Sequence, residues 1–182
     1  LLVYAPDKRR LFACVTGLIE KLGCSVVDAR ISTTRHGYAL DSFLILAADE
    51  LSPLGRELQL ELRKSIEAEL ALDELSEPGK NWRASRTQRL FNAAPEVSFH
   101  TAPGHDRTVM ELRTTNRPGL LSQVAAVLYE QGVRLQNARI NTYGERVEDT
   151  FFISTSDGHA FEDGERLEVL SSAITERLQA DM

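Results

Sequence analysis

The stretch of this 182-residue chain with the most chemistry in it is Thr114-Thr115-Asn116-Arg117-Pro118-Gly119-Leu120-Leu121. It lies between a β-branched run and an amphipathic run, where a strand gives way to a helix. Asn116 suits the cap of such a helix and Pro118 its first turn. Gly119 lets another backbone or a ligand come close. A helix start presents unpaired N–H groups and the positive end of the helix dipole, both suited to a carboxylate. An asparagine amide beside them donates and accepts, as the zwitterionic head of an amino acid requires. The same residues also describe a plain, well-made helix start, and both readings stand at this level. Gln136 and Asn137, on a later strand, are further candidates for amide contacts, although an exposed strand face explains them equally. Glu148 and Asp149 form an acidic pair with no histidine placed to join them, so a polar strand start is expected there rather than a metal site. His36, His100, His105 and His159 are scattered, and His105-Asp106 sits in a Pro-Gly loop without further ligands. No nucleophile, base or metal constellation converges, so catalysis by this stretch is not expected.

The elements that position the turn occur twice. With Leu1 laid on Met110, Asp7 meets Asn116, Leu11 meets Leu120 and Gly23 meets Gly132. At the same offset Ala29-Arg30-Ile31 meets Ala138-Arg139-Ile140 and Thr33 meets Thr142. A one-residue gap then brings Asp41-Ser42-Phe43 onto Asp149-Thr150-Phe151. A match that runs through turn, helix, glycine and strand is a duplication. Each copy opens with a short strand, Leu1 to Ala5 or Val109 to Thr114. A helix follows with one apolar stripe, Leu11, Phe12, Val15, Leu18 and Ile19 in the first copy and Leu120, Leu121, Val124, Val127 and Leu128 in the second. Gly23 and Gly132 stand where a left-handed helix cap belongs. Two strands joined by a hairpin-length turn come next, Cys24 to Thr33 with Tyr38 to Ala47, and Val133 to Thr142 with Val147 to Thr155. A second helix ends each copy, marked by Leu54, Leu58, Leu62, Ile66 and Leu70, or by Leu167, Leu170, Ile174 and Leu178.

This pattern predicts an α+β chain of two ferredoxin-like βαββαβ units in tandem, each with an antiparallel sheet and helices on one face. The first unit is expected over 1–102 and the second over 108–182. Glu96 to Thr101 is the candidate fourth strand of the first unit, and the second is expected to lack one, leaving an edge in search of a partner. Between them, Pro78 to Pro95 carries Lys80, Arg83, Arg86 and Arg89 and no acid. That strip is either a solvated linker or a dock for an acidic or phosphate-bearing surface; Trp82 within it is expected to pack against a helix.

Composition bounds the function. The chain is 42% hydrophobic and 26% charged, with a formal net charge of -6, which argues against nucleic acid as a partner. No apolar run reaches the roughly 18 residues of a membrane span. Cys14 and Cys24 fit neither a disulfide framework nor a metal site, as in a reducing, cytoplasmic setting. The opening Leu1-Leu2-Val3-Tyr4 is already strand-like, so the chain is expected to come from inside a longer protein.

Asn116-Arg117-Pro118-Gly119-Leu120-Leu121 resembles the signature of ACT domains, the small regulatory modules carried by many enzymes of amino-acid metabolism. Ala138-Arg139-Ile140 and Gly144-Glu145-Arg146-Val147-Glu148-Asp149-Thr150-Phe151 are similar to the C-terminal ACT region of the bifunctional enzymes that add UMP to the nitrogen-regulatory protein PII and remove it again. Tyr4-Ala5-Pro6-Asp7, Asp28-Ala29-Arg30-Ile31 and Thr33-Thr34-Arg35 fit the same family in the first copy. The resemblance implies a region that binds an amino acid, L-glutamine above all, at the turn between first strand and first helix, and so switches the parent enzyme between its two activities. It also implies catalytic domains upstream that use Mg²⁺, PII as the protein substrate, no cofactor in this stretch, and homodimer contacts through sheet edges. The first copy departs from the pattern: Arg9-Arg10 stands where the second has Pro118-Gly119, so Asp7 and Arg10 are the weaker site candidates. Two other expectations stay open, an effector other than glutamine and a ligand-free interaction scaffold.

Overall fold

In the computed structural model the chain is described over residues 1–8, 10–47, 54–75, 94–101, 106–117, 119–143 and 146–180. Residues 78–93 of the basic strip, with Trp82, together with Arg9, His105, Pro118, Gly144 and Glu145, lie outside these residues.

The first unit runs β1 (Leu2–Pro6), α1 (Leu11–Lys21), β2 (Ser25–Arg30), β3 (Tyr38–Leu46) and α2 (Arg56–Leu70). After β4 (Glu96–Thr101), the second repeats the order as β5 (Thr108–Thr115), α3 (Leu120–Glu130), β6 (Arg134–Arg139), a short β7 (Thr142–Tyr143), β8 (Arg146–Ser154) and α4 (Gly164–Ala180). Both sheets are antiparallel. The first has the strand order β1-β3-β2 and the second β4-β5-β8-β6, with β7 beside β8. Two antiparallel sheets with four helices are compatible with tandem ferredoxin-like units.

Local physics explains the repetition. The apolar stripes of α1 and α3 are buried, down to 0% exposure at Ile19 and Val124. Both helices end in the same hydrogen-bonded cap. Gly23 and Gly132 are left-handed, at φ 71° and 65°. The N–H groups of Cys24 and Val133 reach back to the carbonyls of Ile19 and Leu128 at 3.1 and 2.8 Å. Glycine adopts that conformation without a Cβ penalty. The partner strands β2 and β6 carry a bulge at the same place, between Val26 and Asp28 and between Leu135 and Asn137. Inward-facing Val3, Ala5, Ala29 and Phe43 meet the helices in one unit, and Met110, Leu112, Ala138 and Phe151 in the other. Asp41 and Asp149, two residues before Phe43 and Phe151 on the same strand face, are also driven inside, each 1% exposed.

Two expectations are corrected here. Glu96 to Thr101 does not close the first unit. It pairs with β5, from Glu96 opposite Arg113 to Thr101 opposite Thr108. The second sheet therefore has its fourth strand, supplied from ahead of the unit rather than behind it, and the three-stranded first sheet is the shorter one. The expected boundary after residue 102 separates β4 from the sheet it belongs to. The physical reason is the short connection: 102–107 lets β4 fold straight back on β5, while β1 lies a whole unit earlier in sequence. In addition, Asn116 does not cap α3. Gly119 holds that position with φ 82° and no side-chain cap bond, one turn later than the asparagine preference predicts.

The units meet through α1 and α3, and through β2 and β6 at the facing sheet edges. Among the described residues no helix is long and apolar enough to cross a membrane.

Because Phe151 is fully buried in the second sheet, Phe151→Ala is expected to cost about 3–5 kcal/mol in urea unfolding. Leu44→Ala, at a site 58% exposed, is expected to change stability by less than about 0.5 kcal/mol. Equal costs for the two would contradict this assignment of inside and outside.

Candidate functional site

Each strand-to-helix turn faces the other unit. The α3 turn contributes Asn116, Arg117, Leu120 and Leu121 to a cavity of about 270 Å³. Its opposite wall is Glu20 at the end of α1 together with Gly23, Cys24, Ser25 and Val26, and Asp149 lines its floor. The α1 turn contributes Asp7, Lys8, Arg10, Leu11 and Phe12 to a second cavity of about 670 Å³. There the opposite wall is Tyr129 at the end of α3 with Gly132, Val133, Arg134 and Leu135, and Asp41 takes the place of Asp149. The two cavities are the same place in the two copies, each built half from one unit and half from the other.

Their chemistry differs at the positions the repeat makes equivalent. In the smaller cavity the carboxylate of Glu20 sits on the amino end of α3. It accepts a hydrogen bond from Ser122 Oγ at 3.0 Å and others from the backbone N–H groups of Gly119 and Leu121. A helix N-terminus is a ready seat for a carboxyl group, and here the neighbouring unit supplies one. Arg117 donates to Gln123 Oε1 at 3.0 Å from the turn itself. In the larger cavity Tyr129 replaces Glu20, and the Arg10 guanidinium lies over its ring at 4.3 Å. Asp7 accepts from Thr33 Oγ1 at 2.9 Å.

Arg10 has φ 66° and ψ 11°, and Gly119 has φ 82° and ψ -1°. The two turns thus share one backbone conformation, although only one has the glycine. A left-handed arginine costs roughly 1 kcal/mol, and the stack on Tyr129 helps hold it there.

No family model matches the chain. It is 39% identical over 181 residues to the bifunctional uridylyltransferase/uridylyl-removing enzyme of Burkholderia thailandensis. It is 38% identical over 181 residues to the enzymes of the same name from Burkholderia mallei and Burkholderia pseudomallei. In each case the alignment takes in 99% of this chain and 20% of the relative. The chain is homologous to a fragment of the bifunctional uridylyltransferase/uridylyl-removing enzyme. It spans a fifth of the length of these relatives.

Within this fragment the expected site residues separate into two groups. Asn116, Arg117, Leu120 and Leu121 come together in the smaller cavity, and Asp7 and Arg10 in the larger. Gly119 shapes the turn through its backbone, and Pro118 lies outside the described residues. Gln136 and Asn137 line neither cavity. Asn137 pairs across to Phe152, and its side-chain oxygen is buried without a hydrogen-bond partner. Glu20, Tyr129 and Asp41 were not singled out as site residues from the sequence, and Asp149, expected as part of a polar strand start, is instead buried within β8 at 1% exposure. Aligning the copies at Gly23 and Gly132 would have found the first two, since Glu20 and Tyr129 stand three residues before those glycines.

The cavity floors are unusual acids. Asp149 Oδ1 accepts the Asn141 N–H at 3.0 Å, while Oδ2 is buried with no hydrogen-bond partner. Asp41 Oδ1 accepts the Ser32 N–H at 3.3 Å. Burial pushes both carboxyls up to about 7, against the pull of these bonds. Burial also pushes Glu20 up to about 8, opposed by Ser122 and the two α3 amides. Burial pushes the Cys14 thiol up to about 12, and it shifts the Cys24 thiol upward from its ordinary value, so neither supplies a thiolate at neutral pH. Among the described residues no cluster of three or more His, Cys, Asp or Glu could hold a metal. The arrangement can bind and orient a small polar molecule; the described residues bring no nucleophile and base together.

A carboxyl whose folded pKa is raised stabilises the fold below its unfolded value and loses that contribution as pH climbs through the folded value. Melting temperature is therefore expected to fall between about pH 4.5 and pH 8, with Asp41 and Asp149 acting up to about 7 and Glu20 up to about 8. Glu20→Gln is expected to flatten the upper end of that decline. Melting curves with the same slope above pH 7 in both proteins would contradict the assignment.

Proposed function

We propose that the chain is a pair of ACT-type modules that binds L-glutamine between its two units. In the full-length enzyme this binding biases the balance between uridylylation and deuridylylation of protein PII. One observation carries the reading: the turn that bears the ACT-like signature opens into a cavity whose far wall belongs to the other unit.

The chemistry of the walls supports an amino acid. Burial raises the carboxyls of Glu20 and Asp149, and an ammonium group arriving beside them would favour their ionised form and pair with it, while Arg117 is suited to a carboxylate. Asn116 adds an amide that pairs with a second amide, as a glutamine side chain offers. A cavity of about 270 Å³ is of amino-acid size, below the range of drug-sized pockets. The names of the relatives supply the reaction that a regulatory region of this kind would govern. Catalysis, with its Mg²⁺, then belongs to domains outside this chain, and the setting is the cytoplasm, where PII and free glutamine meet.

A ligand held by both units ties their relative placement to its own binding. Effector control then requires only that the catalytic domains couple differently to the filled and empty arrangements. The larger cavity, with Arg10 on Tyr129 and no Glu20, is the weaker site of the pair.

Calorimetry of the chain with L-glutamine is expected to give a saturable signal that other amino acids do not match. Arg117→Ala is expected to weaken it by about 10- to 100-fold, the worth of one charge-assisted hydrogen bond. Silence across a panel of amino acids, or unchanged affinity in folded Arg117→Ala, would sink the proposal.

A further inference from the structure

The first sheet ends at β1, and its far edge is open among the described residues. The equivalent edge of the second sheet, at β5, is covered by β4. The ladder fixes what the open edge offers. Leu1 and Phe43 exchange two backbone bonds, at 3.0 and 2.9 Å, so Leu1, Val3 and Ala5 turn their backbone groups toward β3. By alternation, the N–H groups of Leu2 and Tyr4 and the carbonyls of Leu2, Tyr4 and Pro6 point away from the sheet. The side chains there are apolar and exposed, Leu2 at 66% and Tyr4 at 63%. Pro6, without an N–H of its own, stands at an outward position, as proline does on edge strands.

The helix layer has the same asymmetry. In the second unit α4 packs on β4 as well as on α3, and Val97 and Phe99 of β4 sit against the core. In the first unit α2 packs on α1 with no strand of that kind beneath it among the described residues. Leu60 on α2 remains 50% exposed.

The duplication says what should be there. In the second unit the covering strand lies just ahead of the unit's first strand in sequence and runs antiparallel to it. Setting β4 back by the repeat offset of 109 residues puts its counterpart about 9 to 14 residues upstream of Leu1. The relatives are long enough to hold such a segment, since this chain spans 20% of them. We infer that in the full-length protein a strand from the residues immediately upstream of Leu1 folds back on β1, antiparallel, and gives the first sheet the four-strand order of the second. Shifting the β4–β5 register by the same offset sets the strand's outward-bonding partners as Leu2 and Tyr4, the counterparts of Glu111 and Arg113. Strand addition of this kind draws its affinity from main-chain bonds, and its alternate apolar side chains would cover α2 as Val97 and Phe99 meet the second unit's core. This upstream strand would also tie the first sheet to whatever precedes it, independently of what the cavities bind.

Hydrogen exchange read at single amides tests this. Two proteins are compared: the 182-residue chain, and the same chain extended upstream by about 20 residues of the full-length protein's own sequence, enough for a strand and a short turn. The Leu2 and Tyr4 amides are expected to exchange freely in the shorter protein and to gain at least about 100-fold protection in the longer. Leu2→Pro, which removes one outward N–H, is expected to leave the melting temperature of the shorter protein nearly unchanged and to lower that of the longer. Three results would overturn the inference. The first is no protection in the longer protein. The second is protection already present in the shorter protein as a monomer. The third is protection that depends on protein concentration in both, which would assign the edge to a second copy of the chain.

Discussion

Helix α1 lies against helix α3 with the end of each beside the start of the other, and the candidate sites depend on that one packing. Glu20, in the last turn of α1, reaches the amino end of α3. Arg10, at the start of α1, reaches Tyr129 in the last turn of α3. Both contacts join the two units, and both sit at a strand-to-helix turn. The buried apolar stripes, with Ile19 and Leu128 among them, hold both helices in the core by removing large side chains from water. The polar contacts set the register. A buried carboxyl group seated on backbone N–H groups tolerates little displacement, since a buried polar group left without its partners is costly.

The same packing makes the cavities. A strand-to-helix turn alone is a shallow feature; with the other unit's helix end opposite, it becomes a walled space lined by basic and acidic groups. Duplication gives two such spaces, and substitutions in their walls make them unequal, among them Arg10 for Gly119, Tyr129 for Glu20, Asp7 for Asn116 and Lys8 for Arg117. The backbone has absorbed the first of these, since Arg10 keeps the left-handed turn that glycine adopts without penalty. The difference between the sites therefore lies in side-chain chemistry rather than in the path of the chain.

Much of this was legible in the residues because it is local. Helix stripes and capping glycines are set by neighbours a few positions apart, and the structure has them where the pattern puts them. The partner of β4 was not legible. Alternation marks Glu96 to Thr101 as a strand, but pairing is settled by loop length and by which edge is free. Glu20 was hidden for a related reason. At the end of a helix it looks like a solvated acid, and only the docking of the second unit turns it inward. Asn116 misled in the opposite direction: its capping preference is real, but the left-handed Gly119 moved the helix start past it. The place of the turn between β5 and α3 was legible because a strand, a glycine and an apolar stripe in that order leave little freedom.

The central claim is that one ligand is held by both units at once, and an amide chemical-shift titration of the labelled chain with L-glutamine tests it most directly. The account predicts saturable shifts that appear together on Asn116 to Leu121 of one unit and on Gly23 to Val26 of the other, with a single dissociation constant. Shifts confined to one unit, or two sets that saturate at different concentrations, would contradict it.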